Sequence, residues 1–397
     1  MMLKSARQSA SNRRLFFNQN AHRDSCSQRI TLAGGLYDAD SAPRCWRSSI
    51  RRPGGITFVR SDVEFSTVRT YCCVTDCYAR ITTLHDRELQ TRLESRLGTV
   101  HARQRLGIET DHERQVFTGN FSFFHLENWY SVHSLIRNSL KLVGLYARAA
   151  RNALDIEVVE NVIRVPDLPQ SFCGLRILHL SDLHLDMSDA IAHTINERVR
   201  TVEYDLCVWT GDYRYRTYGD FEAVLQSVRN LRNNLTGPVY AVLGNHDSVK
   251  MVPEFEDADI RMLMNESVVI ERDGAVLYLA GIDDAHFFGV GNIEKALSAV
   301  SDRATTILLS HTPEIYRLAS HAGIDLLLCG HTHGGQICLP GGIPLTLDAR
   351  IPRRFGRGNW RFGAMQGYTS RGAGSSIVDV RLNCRPEITV HELRSDQ

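Results

Sequence analysis

The sequence predicts an α/β protein whose sheet is buried on both faces, preceded by a helical segment and a basic arm. Two observations carry that prediction. From residue 155 onward, short apolar runs alternate with amphipathic helical stretches. Such runs suit strands covered on both sides. Five of them also end in a cluster of Asp, His or Asn, and the carboxyl ends of strands are where α/β sheets bind ligands.

In chain order, the arm comes first. The 397 residues are 43% hydrophobic with a net charge of +1, which excludes collagen-like, coiled-coil and wholly disordered chains. That balance is uneven: residues 1–85 hold thirteen Lys and Arg against six Asp and Glu, which leaves the remainder net acidic. An acidic body lacks the clustered positive charge that nucleic acid requires. Residues 1–85 show no sustained period of 2 or 3.6 and are rich in Arg and Ser, so they read as a poorly ordered arm.

A helical segment follows over 86–154. Residues 86–116 are charged and helical in pattern. Over 121–154, Val132, Leu135, Ile136, Leu140, Val143 and Ala147 recur at helical spacing, behind aromatic Phe121, Phe123, Phe124, Trp129 and Tyr130. Two readings fit: a helix packed on the body with a solvated basic face, or a helix lying in a membrane surface with cations toward anionic lipid. No window holds 18 uninterrupted apolar residues, so no transmembrane helix is expected. The ten cysteines are scattered and lack paired zinc spacing; reduced thiols in a cytoplasmic protein are expected.

The third region, 155–397, holds the alternation. IEVVENVIRV and LRILHL read as strands, then a helix over about 188–203, the strand DLCVWT, the helix FEAVLQSVRNLRNNL and the strand VYAVL. VLYLAGI, TTILLS and DLLLC follow as strands, with a helix opened by Thr312-Pro313 before the last. SSIVDV and PEITVHEL read as β near the end.

The chemistry follows the strands. LRILHL is followed by Ser181-Asp182-Leu183-His184, DLCVWT by Gly211-Asp212, and VYAVL by Gly244-Asn245-His246-Asp247. TTILLS ends at Ser310-His311, and DLLLC at Gly330-His331-Thr332-His333. Any one of these residues could cap a helix or sit in a loop. Together, an Asp/His/Asn set without Cys suits Mn, Fe or Zn, and there are enough donors for two ions sharing one carboxylate.

These blocks resemble the calcineurin-like metallophosphoesterases, whose signature is D-x-H, G-D, G-N-H-D, a lone H and G-H-x-H. GHTHGGQICLPGG and YTSRGAGSS…RPEI are similar to the branch with membrane-associated phosphodiesterases and UDP-2,3-diacylglucosamine pyrophosphatases. The resemblance covers about 155–394 and implies a layered α-β-β-α sandwich. It implies that Asp182, His184, Asp212 and His333 hold one metal, and that Asp212, Asn245, His311 and His331 hold a second, with Mn the expected ion. It also implies that His246 acts on the scissile phosphate, a role that suits a group titrating near neutrality. The expected activity is hydrolysis of a phosphodiester or diphosphate, with a UDP-2,3-diacylglucosamine-type lipid-linked sugar nucleotide at the membrane surface, and so lipid A biosynthesis, as its most specific form. A soluble phosphodiesterase or nucleotidase is the alternative enzyme. A metal-free scaffold is the alternative of another class, and the complete ligand set argues against it.

One position departs from the pattern. Many relatives carry a carboxylate three residues after the Asp of G-D, paired with the His of G-N-H-D; here it is Tyr215, leaving Asp247, Asp284 or simple hydrogen bonding to serve His246. Substrate contacts are expected from Arg214 and Arg216 beside Asp212, from Asp284 and His286, and from Arg353 and Arg354 within an acid-free stretch over 349–371. Guanidinium forks match phosphate oxygens, although a solvated basic loop would look the same.

Overall fold

A computed structural model describes residues 86–117, 130–302 and 304–396. The chain divides into two compact units, 1–71 and 72–397, and every described residue belongs to the second. The arm expected over 1–85 and the aromatic stretch at 121–129 lie outside the described residues.

The charged helical pattern forms two helices, α1 (86–97) and α2 (Thr99–Phe117), parted at Gly98, whose φ of +87° suits glycine. Next come α3 (Tyr130–Leu142) and α4 (Tyr146–Leu154). The apolar spacing over 121–154 crosses a break that periodicity does not reveal. Gly144 is left-handed, its N–H bonds the Lys141 carbonyl, and the Leu145 N–H reaches the Leu140 carbonyl at 2.8 Å. These paired bonds end α3 in a Schellman motif.

Strands then alternate with helices. The order is β1 (Glu157–Val165), β2 (Arg176–Leu180), α5 (Asp189–Val199), β3 (Leu206–Trp209), α6 (Glu222–Arg232), β4 (Val239–Ala241), α7 (Val252–Asp257) and β5 (Arg261–Met262). The second half runs β6 (Glu266–Arg272), β7 (Ala275–Gly281), α8 (Ile293–Leu297), β8 (Thr306–Leu309), α9 (Tyr316–His321) and β9 (Leu326–Cys329). It closes with a small hairpin of β10 (Cys338–Leu339) and β11 (Ile343–Pro344), then β12 (Gly358–Phe362), β13 (Met365–Thr369) and β14 (Glu387–Ser395).

Two six-stranded sheets result, in the orders β1-β14-β2-β3-β4-β5 and β12-β13-β9-β8-β7-β6. β2 through β5 are mutually parallel, as are β13, β9, β8 and β7. Successive side chains of a strand point to opposite faces. Ile177, Val208, Leu279, Ile307 and Leu328 therefore meet between the sheets, while Leu178, Trp209 and Leu308 turn outward. The outward residues of the first sheet are covered by Ile191, Ile195, Val224, Val228 and Phe255; those of the second are covered by Tyr316, Phe355 and Trp360. This is the expected α-β-β-α sandwich, and covering both faces explains the continuously apolar strands. Each fully buried Leu or Ile contributes about 1.5–3 kcal/mol.

SSIVDV is not a strand, contrary to its apolar pattern. Ile377 has a φ of +64°, and the Gln336 side chain binds the backbone of Ser376 and Val378, so the segment is irregular. Its Val378 and Val380 pack with Leu140, Ala149 and Leu382, which seats α3 and α4 on this loop.

Candidate metal centre

The seven residues expected to bind metal lie at strand ends of both sheets, and all are buried. Asp182 and His184 follow β2, Asp212 follows β3, Asn245 follows β4, His311 follows β8, and His331 and His333 follow β9. Five of them (Asp182, His184, Asp212, His331 and His333) have left-handed φ values between +40° and +71°. Non-glycine residues rarely adopt this conformation, and where it clusters it marks functional sites. The neighbouring backbone is correspondingly tight: a Cβ on Gly330 would overlap Ser181 Oγ and the Asp182 carboxylate.

The donors form two adjoining clusters. In the first, His184 Nε2 is 3.2 Å from His333 Nε2, and His333 Nε2 is 3.4 Å from Asp182 Oδ1. In the second, His311 Nε2 is 3.0 Å from Asn245 Oδ1, 3.1 Å from His331 Nδ1 and 3.3 Å from Asp212 Oδ2. Asp212 Oδ2 also lies 3.9 Å from His184 Nε2, so this one oxygen faces both clusters. The groups Asp182–His184–His333 and Asp212–His311–His331 each bring their donor atoms within 4.8 Å of one another, close enough to hold an ion.

Backbone contacts orient the donors. His184 Nδ1 donates to the Arg214 carbonyl at 2.9 Å and His311 Nδ1 to the Thr210 carbonyl at 2.7 Å, which turns the Nε2 lone pair of each inward. Burial works to raise the Asp212 pKa, yet the imidazoles of His311, His246 and His184 hold it well below the ordinary carboxylate range. Burial alone would depress His311, but Asp212 overrides it and lifts its pKa to about 10. Burial pushes the His333 and His331 pKa values well down, leaving neutral imidazoles. Ring nitrogens and two carboxylates turned onto one another in a buried space fit a site made for cations.

The remaining expected site residues divide. His246 is buried beside the clusters, with Nε2 3.8 Å from Asp212 Oδ2. Its Nδ1 donates to the Tyr215 carbonyl at 2.6 Å, so a main-chain oxygen at position 215 fills the place expected of a carboxylate. Asp247 does not serve His246. Its carboxylate accepts the N–H groups of Asp212, Tyr213 and Gly244 at 2.7–2.9 Å. The Asp284 carboxylate likewise caps its own turn, accepting from His286, Phe287 and Phe288. His286 does reach the site, its ring 4.3 Å from that of His331, with Nδ1 against Glu314 at 2.8 Å.

Arg214 is spent on structure, its guanidinium bound to the carbonyls of His246, Thr217 and Gly219. Arg216 is exposed. Arg353 donates to the Pro344 carbonyl at 3.2 Å, and Arg354 lies over the Phe355 ring.

Pattern reading missed two features. Fully buried Arg381 donates to the His333 carbonyl at 2.9 Å and to the Gly374 carbonyl. Its signal was a cation in the alternating stretch Val378-Asp379-Val380-Arg381-Leu382. The second is a cavity of about 520 Å³ over both clusters, with Asp212, Asn245, His246, His331 and His333 at its base. Leu135, Ile136 and Leu140 of α3, with Ile337, Leu345, Ile377 and Val378, line much of the rest, joined by polar Ser139, Gln336, Thr346, Asp348 and Ser376.

Two adjoining Asp/His clusters at the strand ends of a two-sheet sandwich define a metal-dependent phosphoester hydrolase. The calcineurin-like phosphoesterase family model matches residues 175–335. The metallophosphoesterase YkuE of Bacillus subtilis (strain 168) is 32% identical over 259 residues, spanning 60% of this chain and 86% of that protein. The phosphodiesterase YaeI of Escherichia coli (strain K12) is 32% identical over 239 residues, spanning 55% of this chain and 82% of that one. A transmembrane protein with metallophosphoesterase domain from Bos taurus is 31% identical over 281 residues, spanning 64% of this chain and 60% of its own. The chain belongs to the calcineurin-like metallophosphoesterases. Among the described residues, no helix is long and apolar enough to cross a membrane.

Proposed function

We propose that the chain hydrolyses a phosphodiester or diphosphate bond next to an apolar chain, with a UDP-2,3-diacylglucosamine-type lipid-linked sugar nucleotide as the specific substrate and lipid A biosynthesis as its setting. The cavity carries this reading. Residues of both donor clusters form its base and its wall is largely apolar, with Ile136, Ile337 and Val378 lining the same space as Asp212 and His333. Each CH₂ buried there contributes about 0.8 kcal/mol, which a bare nucleotide would forgo.

Asp182, His184, Asp212 and His333 would hold one divalent ion, and Asp212, Asn245, His311 and His331 a second, with Mn the expected metal and Fe or Zn the alternatives. Bound there, such ions polarise phosphoryl oxygens and lower the pKa of water. His246, oriented by the Tyr215 carbonyl, holds its Nε2 on the Asp212 side, where it can protonate a leaving oxygen.

Peripheral contact with the cytoplasmic face of a membrane belongs to the same reading. Leu142 is 88% exposed, Val143 and Leu135 are also exposed, and Leu339, Ile343 and Leu345 are exposed on and beside the β10–β11 hairpin. Lys141, Arg148 and Arg151 supply the cations that anionic lipid attracts.

The test is an assay of the purified full chain with Mn²⁺. UDP-2,3-diacylglucosamine should be split to uridine monophosphate with a kcat/KM above that for bis(p-nitrophenyl) phosphate. Turnover of small diesters alone would replace this reading with a broad phosphodiesterase.

A further inference from the structure

The segment bearing Asn245 and His246 is irregular backbone, and its polar groups are met by side chains rather than by a sheet. Some come from α2, which lies outside the residues matched by the family model. Arg105 of α2 is fully buried. Its Nη2 donates to the Asp247 carbonyl at 2.9 Å, its Nη1 pairs with Glu109 at 2.7 Å, and its Nε lies 3.4 Å from Asp283 Oδ1. The guanidinium stacks 3.3 Å over the Phe288 ring. Glu109, one turn on, accepts the Ser248 hydroxyl and the Val249 N–H, each at 2.7 Å.

The clamp continues into the site. Asp247, whose carbonyl Arg105 holds, turns its carboxylate onto the N–H of Asp212, the residue facing both clusters. A fully buried guanidinium is costly unless each face is matched. Here the carboxylates of Glu109 and Asp283 and an aromatic face match it, and the fork is left aimed at one backbone oxygen of the His246 loop.

We infer that α2 is a positioning element of the reaction centre, with Arg105 and Glu109 as positioning residues that fix Asn245 and His246 against Asp212. This rests on the phosphoesterase reading of the site above. Lysine at 105 keeps the charge but lacks a planar fork, and so cannot hold Asp247, Glu109 and Asp283 together. Displacing reacting groups by about 1 Å costs as much as 100-fold in rate.

The experiment compares wild type, Arg105→Lys, Glu109→Gln and Arg96→Lys as full chains. Arg96 of α1 pairs with Glu256 and Glu266, away from the loop, and controls for loss of helix anchoring. Turnover of bis(p-nitrophenyl) phosphate with Mn²⁺ is read well below each melting temperature, and Mn retained after dialysis is measured by elemental analysis. Arg105→Lys should lower kcat about 10–100-fold at little-changed KM and retain less Mn than wild type. Glu109→Gln should do the same more mildly, and it decides the matter if Arg105→Lys does not fold. Arg96→Lys should lower only the melting temperature. If Arg105→Lys and Glu109→Gln behave like Arg96→Lys in both kcat and Mn retention, the inference falls. If wild type splits neither bis(p-nitrophenyl) phosphate nor UDP-2,3-diacylglucosamine, the phosphoesterase reading fails, and Mn retention alone decides the positioning.

Discussion

His246 donates from Nδ1 to the main-chain carbonyl of Tyr215 across 2.6 Å. A carbonyl cannot donate, so this contact sets the tautomer and leaves Nε2 on the side of Asp212. A carboxylate would add a charge to that orientation; a carbonyl supplies the orientation alone. His246→Gln should lower kcat by about 10²–10⁴-fold with metal content unchanged. Tyr215→Ala, which keeps the carbonyl, should cost far less. Steady-state kinetics with elemental analysis checks both, and equal losses would refute the assignment.

Asp212 Oδ2 faces both donor clusters, so Asp212→Asn should deplete both at once. Elemental analysis after dialysis should find well under half of the wild-type Mn. His333→Asn, confined to one cluster, should spare more. Equal retention by the two variants would deny Asp212 a shared role.

Removing metal should also destabilise the fold. An ion present at 100 times its Kd contributes about 2.7 kcal/mol through mass action. Chelation should therefore lower the melting temperature, and Mn²⁺ should restore it. Scanning calorimetry that finds no shift would contradict the ligand assignment.

Acid should weaken the protein through two histidines outside the site. His179 and His391 are fully buried, with His179 Nδ1 3.2 Å from His391 Nε2. Burial pushes the His179 pKa down to about 3, and burial with the His179 charge pushes that of His391 well below its usual value. The unfolded chain takes up these protons near pH 6.5, whereas the folded protein does not. Their contribution is therefore intact above about pH 6.5 and falls as pH drops toward the depressed folded values. The loss approaches about 1.4 kcal/mol per pH unit for each ring. Urea midpoints between pH 7.5 and 5 should show a steeper decline in wild type than in a His179→Asn/His391→Gln double variant.

Gly330→Ala tests the tight backbone. The added methyl would overlap Ser181 and the Asp182 carboxylate. Forced shifts of this kind cost about 1–3 kcal/mol, and here they act on a candidate ligand. Metal binding should fall more than stability, as titration calorimetry beside thermal denaturation would show.

The strands and the donor set were legible because both depend on local sequence. Full burial demands unbroken apolar runs, and ligands must follow strand ends. Other features were not legible. The Val143-Gly144-Leu145 stop was masked by apolar spacing that continues through it. SSIVDV has strand composition, but Gln336, some 40 residues away, captures its backbone. The partner of His246 is a main-chain atom, which no side-chain pattern can announce. The apolar wall arises only when α3 meets the loop at Ile377 and Val378, a contact between segments more than 200 residues apart.

The donor clusters take Asp182, His184, Asp212 and Asn245 from one sheet and His311, His331 and His333 from the other. The centre is thus a rivet across the seam of the sandwich. Any slip of one sheet past the other would part His333 from Asp182 and His311 from Asp212 before a single strand came apart. Loss of activity should therefore be the first symptom of core mutations far from the site, ahead of any change in secondary structure.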